Sequence, residues 1–243
     1  MKNKRSPSLS LVVLFLLIIL VMQSLISYST TFGRLDSLTT DVRRNLSSGW
    51  LVFRAVMVIL ILALWILNRK KQLFKVIIFV NILLTIGLLM NMFALTDVLT
   101  QLTTEAAKAL MVEVFFMAIT NILIFSIWYW IIDPPGVEEE QRLEEPRDFL
   151  FPQRSEDLPF YEDWLPRYTD YMYLAFTTSF AFSPTDVLPL TRRAKLLMLL
   201  QSVISIVTLT GIAGSAINIL AGSGYPLVAG PPADSQAHGG GCA

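Results

Sequence analysis

The sequence predicts an all-α membrane protein: about five transmembrane helices, with a short re-entrant helix before the last. Three observations carry this. Of 243 residues, 54% are hydrophobic and only 16% charged, and the mean hydropathy is +0.59, a balance typical of multi-pass membrane chains. The apolar residues fall into runs close to the ~20 residues a helix needs to cross hydrocarbon. Just before the last run stands a shorter aromatic segment and a proline-marked turn, Ser183-Pro184-Thr185-Asp186.

The N-terminus carries Lys2, Lys4 and Arg5, and an apolar run from Leu9 to Ile26 follows. This reads as the first membrane helix. A cleaved signal peptide is the competing reading, since small residues Ser27 and Ser29 flank Tyr28. After a polar loop over 27–49, Trp50 opens a second helix that runs to Leu67, and Asn68-Arg69-Lys70-Lys71 closes it. Trp at one end and a basic cluster at the other are interfacial anchors. A short connection leads to a third helix over Val76–Leu95, and Ala106–Ile132 gives a fourth, stopped by Asp133-Pro134-Pro135-Gly136.

Residues 1–132 thus form a four-helix transmembrane region. Between Asp133 and Tyr168 the composition reverses, with eleven acidic residues against Arg142, Arg147, Arg154 and Arg167. Such a run cannot lie in hydrocarbon, and 133–168 is predicted as an acidic solvated linker whose aromatic end skims the interface. Residues 169–220 form the next unit. It comprises a helix from Asp170 to Phe180, too short to span, then the turn, then a last helix from Ala194 to Leu220. Non-helical backbone at membrane depth is tolerated only where protein or a water-filled cavity surrounds it. The tail, 221–243, is rich in Gly and Pro, and disorder is expected there.

Lys and Arg number three at the N-terminus, four in the 69–75 loop, three in the 27–49 loop and none over 96–105. This places the N-terminus in the cytoplasm, in a cell inner membrane, and the acidic linker on the same side. Membrane lipid is the expected surrounding partner. Zero net charge gives no field that would recruit nucleic acid. Cys242 and His238, the sole residues of their types, lie in the tail. No zinc site or Cys–His nucleophile pair can be built inside the fold. No phosphate-cradling or dinucleotide motif occurs. No enzyme activity, metal or cofactor is expected.

Two ionisable residues interrupt the helices: Arg54, four residues past Trp50, and Glu113, seven past Ala106. A charge at a helix centre costs ~2.5–3.5 kcal/mol on insertion scales. Their depths match, so an intramembrane Arg54–Glu113 pair is the economical reading, with separate snorkelling to the headgroups as the alternative. Asn81, Asn91, Asn121, Gln201 and Asn218 are expected to make interhelical hydrogen bonds. Gly211, Ala213, Gly214 and Ser215 are expected at a close helix contact.

Tyr173–Leu220 resembles the pore helix, filter and inner helix of two-transmembrane potassium channel modules. Thr177-Thr178, Asp186 and Pro189-Leu190-Thr191 carry the resemblance, with Gly211 or Gly214 in the place of a hinge glycine. The chain also looks similar to a group of bacterial membrane proteins whose C-terminal halves read "AFSPTD…PL…AK". The resemblance implies an oligomer around a pore lined by Thr177, Thr178, Ser179, Phe180, Phe182, Thr185 and Asp186. The seven residues from Ser179 to Thr185 replace the family's four and contain no glycine, so a stack of inward carbonyls selecting potassium is not expected. The leading functional expectation is therefore channel-like, with ion passage of low selectivity. The alternative is a non-conducting membrane scaffold or assembly protein. The polar hairpin residues discriminate: a pore presents them to water, and a scaffold buries them in hydrogen bonds.

Overall fold

The structure, a computed structural model, describes residues 7–27, 40–98, 104–133, 147–155, 164–181, 186–214 and 217. The N-terminal basic residues, most of the acidic linker, Phe182, Thr185, Asn218 and the tail lie outside the described residues. The helices are α1 (Pro7–Ser27), α2 (Thr40–Ile66), α3 (Lys70–Val98), α4 (Thr104–Ile132), α5 (Pro152–Ser155), α6 (Tyr168–Ala181) and α7 (Arg192–Ser205). Helix α7 continues as a π-helical stretch over Ile206–Ala213. Two short strands, β1 (Phe149–Leu150) and β2 (Leu188–Pro189), pair antiparallel.

Three segments are long and apolar enough to cross a membrane: Lys70–Phe93, Met111–Ile132 and Arg192–Ala213. Two shorter apolar stretches, Leu9–Gln23 and Val52–Ile66, lie on α1 and α2. Proline suits the first helical position of α1, where its missing N–H has no intrahelical partner to lose. Helix α2 starts at Thr40, ten residues before the expected Trp50, because hydropathy marks contact with hydrocarbon and not helicity itself.

The α2–α3 turn has a local cause. Asn68 sits at φ 55, a left-handed conformation that asparagine tolerates. Arg69 N–H then bonds the Leu64 carbonyl and Asn68 N–H the Trp65 carbonyl. This double closure satisfies carbonyls that the helix end would otherwise orphan.

Helix α4 is the hub, packed against α1, α3, α6 and α7. Its buried side chains include Met117, Ile124, Phe125, Ile127 and Tyr129. The outside is equally apolar. On α3, Phe79, Ile82, Ile86, Met90 and Phe93 recur at helical spacing and are all exposed, Met90 by 65%. Such a stripe is costly in water and costs nothing against acyl chains.

Polar side chains fasten the seams between helices. Asn81 Nδ2 donates to the Ile124 carbonyl (3.3 Å), Trp128 Nε1 to Thr85 Oγ1 (2.9 Å) and Gln23 Nε2 to the Leu84 carbonyl (2.7 Å). The expected asparagine bonds form at Asn81 and Asn121, whereas Asn91 is buried with its Nδ2 unpartnered. The close-packing glycine is not where it was expected. A Cβ added at Gly211 or Gly214 would meet nothing within 4 Å, whereas at Gly87 it would sit 3.0 Å from Gln23 Oε1. Gly87 is what lets Gln23 reach α3.

Candidate functional site

Helix α6 and strand β2 form a hairpin that leaves and returns to one end of α4. In the first turn of α6, Tyr171 donates its hydroxyl to Asp133 Oδ2 (2.6 Å), immediately after α4. Asp133 Oδ1 accepts the Asp148 amide (2.9 Å). From Asp148 the chain enters β1, and β2 pairs back onto it, Phe149 against Pro189 and Leu150 against Leu188. Fourteen residues make α6 about 21 Å long, short of the ~30 Å hydrocarbon core.

Asp148 is the knot of this end. Its Oδ1 accepts Arg193 Nε (2.7 Å) and its Oδ2 accepts Arg193 Nη2 (2.6 Å). The Thr191 hydroxyl also donates to Oδ1, and the Asp148 carbonyl takes the Leu190 amide (2.8 Å). Thr191 in turn caps α7, accepting from the Ala194 amide. Through its amide to Asp133, its carbonyl to Leu190 and its carboxylate to Thr191 and Arg193, Asp148 joins the end of α4, the strand pair and the start of α7. Around it Tyr129, Phe149, Tyr171, Phe151 and Trp164 make successive ring contacts, with centroids 5.2, 6.5, 5.7 and 5.5 Å apart.

This corrects the reading of 133–168 as solvated, at the residues described. Asp133 and Asp148 are fully buried, as are Phe149, Phe151 and Tyr168. Burial of a carboxylate is tolerable where donors converge on it, and here a tyrosine, a backbone amide and a bidentate arginine do so. The available signal was the apolar island Phe149-Leu150-Phe151 inside the acidic run.

Burial raises the Asp133 pKa above the ordinary aspartate value, against the pull of the Tyr171 hydroxyl, the Asp148 and Phe149 amides and the nearby Arg147 charge. A raised folded-state pKa contributes stability that is complete below the unfolded value and fades as pH rises through the folded one. Wild-type thermal stability in detergent is therefore expected to decline as pH increases from acid toward neutral, more steeply than in Asp133→Asn. Equal slopes would contradict this account.

Among the pore candidates, the structure brings Thr178 and Ser179 together in the interior. Thr178, 1% exposed, donates to the Leu174 carbonyl (2.8 Å). Ser179, 2% exposed, accepts from Gln201 Nε2 (2.7 Å). The same nitrogen donates to the Ala175 carbonyl (2.7 Å), and Gln201 Oε1 accepts the Tyr129 hydroxyl. Gln201 on α7 thus ties α6 to α4. Thr177 is half-buried, its hydroxyl 3.1 and 3.0 Å from the Tyr173 and Leu174 carbonyls. Phe180 is exposed and faces outward, its ring 4.8 Å from that of Phe176. Asp186 is exposed, with the Tyr173 hydroxyl 3.5 Å away. Phe182 and Thr185 fall outside the described residues.

A second polar seam lies one stage deeper. Asn121 Nδ2 donates to Ser205 Oγ (2.8 Å), where α7 passes into the π-helical stretch. The π-helix has no signature in the sequence, and neither does the choice of Ser205 as the partner of Asn121.

Arg54 is 7% exposed and lines a cleft with Leu20 and Gln23 of α1 and Val80 and Leu84 of α3. Glu113 is half-buried on α4. Helix α2 packs chiefly on α3 and α1.

No protein-family model matches the chain, and the searches of curated proteins and of solved structures likewise found no match.

Proposed function

We propose that the protein is a multi-pass integral membrane protein of a bacterial inner membrane, with five crossings and a cytoplasmic N-terminus. The α6–β2 hairpin is re-entrant and acts as a packed, non-conducting element of a membrane scaffold or assembly protein. The supporting observation is the state of Thr178 and Ser179. Both hydroxyls are buried, with the Leu174 carbonyl and Gln201 as partners, which favours packing over a water-facing role. An outward surface of large apolar side chains supports immersion in lipid.

Reconstitution into planar bilayers with opposed potassium and sodium gradients tests the reading. The wild type is expected to carry no current, and Phe180→Ala, which enlarges any aromatic constriction, none either. A current with low selectivity would restore the channel-like alternative, in which copies of the chain place their Phe180 faces around a dewetting gate. A reversal potential at the potassium equilibrium value would overturn both accounts of the hairpin.

The Arg54–Glu113 pair is proposed with it. In a double-mutant cycle of thermal stability, Arg54→Met and Glu113→Gln together are expected to cost less than the sum of the two, because either alone strands a charge. Additive losses would favour separate snorkelling.

A further inference from the structure

The first turn of α7 contains Arg192, Arg193 and Lys195 and no acid. Three cations at a helix N-terminus oppose the helix dipole, which favours anions there. Among the described residues Asp148 is the carboxylate bonded to this group, and it is taken by Arg193 and Thr191. Arg192 and Lys195 are exposed.

The extended stretch that leads into the helix is apolar on its outer side. Val187 is buried, while Leu188 and Leu190 are 58% and 51% exposed. These leucines precede the Arg192–Ala213 span, where a chain emerging into water would present polar groups. They continue instead into the outward face of α7 at Leu196 and Leu199, also exposed. Apolar side chains directly beside cations match the depth at which acyl chains meet phosphates. A soluble acidic peptide would match the cations but not the continuity with the face of a spanning helix.

We propose that this corner binds the headgroup of an anionic phospholipid, the phosphate held by Arg192 and Lys195 and an acyl chain lying on Leu188 and Leu190. Arg193, pinned by Asp148, holds the turn in place. The proposal rests on the membrane reading above and adds a named lipid class and position to it.

The test is native mass spectrometry of the full chain in neutral detergent with added phosphatidylglycerol or phosphatidylcholine. The wild type is expected to retain phosphatidylglycerol preferentially. The Arg192→Gln/Lys195→Gln variant is expected to lose roughly 25-fold of that preference, at about fivefold for each basic residue near an anionic surface. Lys70→Gln/Lys71→Gln, at the other basic turn, is expected to keep it. Equal loss in both variants would reduce the effect to general charge and overturn the site. Competition by soluble glycerophosphate as strong as by the lipid would overturn the role of the leucines. Alkaline carbonate extraction separates the two readings. A chain that stays in the membrane yet shows no phosphatidylglycerol preference sinks this proposal alone, whereas a chain that is extracted sinks both.

Discussion

Replacing Asp148 by alanine is expected to lower the unfolding free energy by about 3 kcal/mol. Charge-assisted hydrogen bonds contribute ~1.5–3 kcal/mol each, and Asp148 accepts two from Arg193 besides the Thr191 hydroxyl. Loss of one partner from a fully buried pair costs ~3–5 kcal/mol because the survivor is stranded. Here the carboxylate is fully buried while the Arg193 side chain is 61% exposed. The freed guanidinium rehydrates, which holds the loss to the lower end of that range. Asp148→Asn keeps the shape and an acceptor for Thr191, and about half the loss is expected. Denaturant unfolding in detergent supplies the numbers, and limited trypsin digestion locates the effect. Cleavage after Arg192 and Arg193 should accelerate before cleavage elsewhere, since Asp148 holds the start of α7. A variant within about 0.5 kcal/mol of wild type would mean the knot is ornamental.

What could be read in the sequence was set by physics that acts locally. An apolar run near the length of a bilayer defines a span without reference to any other part of the chain, and Lys70–Phe93, Met111–Ile132 and Arg192–Ala213 were legible for that reason. The Asn68 turn follows from its own backbone. Asp148 was illegible because its burial is decided by Arg193, 45 residues on, and the ten other acids of the same run argue the other way. The burial of Thr178 and Ser179 was illegible for a related reason. Resemblance supplies a role for a hydroxyl, but which face of a short helix meets Gln201 depends on how α6 crosses α4 and α7. Gly87 and Gly211 differ in what an added Cβ would meet, a glutamine in one case and nothing within 4 Å in the other. No local pattern separates the two.

Gln201→Leu is the substitution that sets packing against pore most directly. Gln201 is fully buried, donates to the Ala175 carbonyl and Ser179 Oγ, and accepts from the Tyr129 hydroxyl. Leucine fills much of the same volume, so cavity formation contributes little. The cost comes from three polar groups that each lose a hydrogen bond, the Ala175 carbonyl keeping its helical amide within α6. Interhelical hydrogen bonds in membranes average ~0.6 kcal/mol and reach ~1.7, while a buried group left unsatisfied costs ~1–3. A loss of about 3 kcal/mol is expected. The Gln201→Leu/Ser179→Ala double variant should lose less than the sum, because serine no longer strands a hydroxyl once it is gone. If instead α6 bordered a water-filled passage, the freed Tyr129 and Ser179 hydroxyls would hydrate at once. The loss would then fall below about 0.5 kcal/mol, and the two substitutions would add. Thermal unfolding of the four proteins in one detergent therefore distinguishes a hairpin that packs from one that conducts, without any measurement of current.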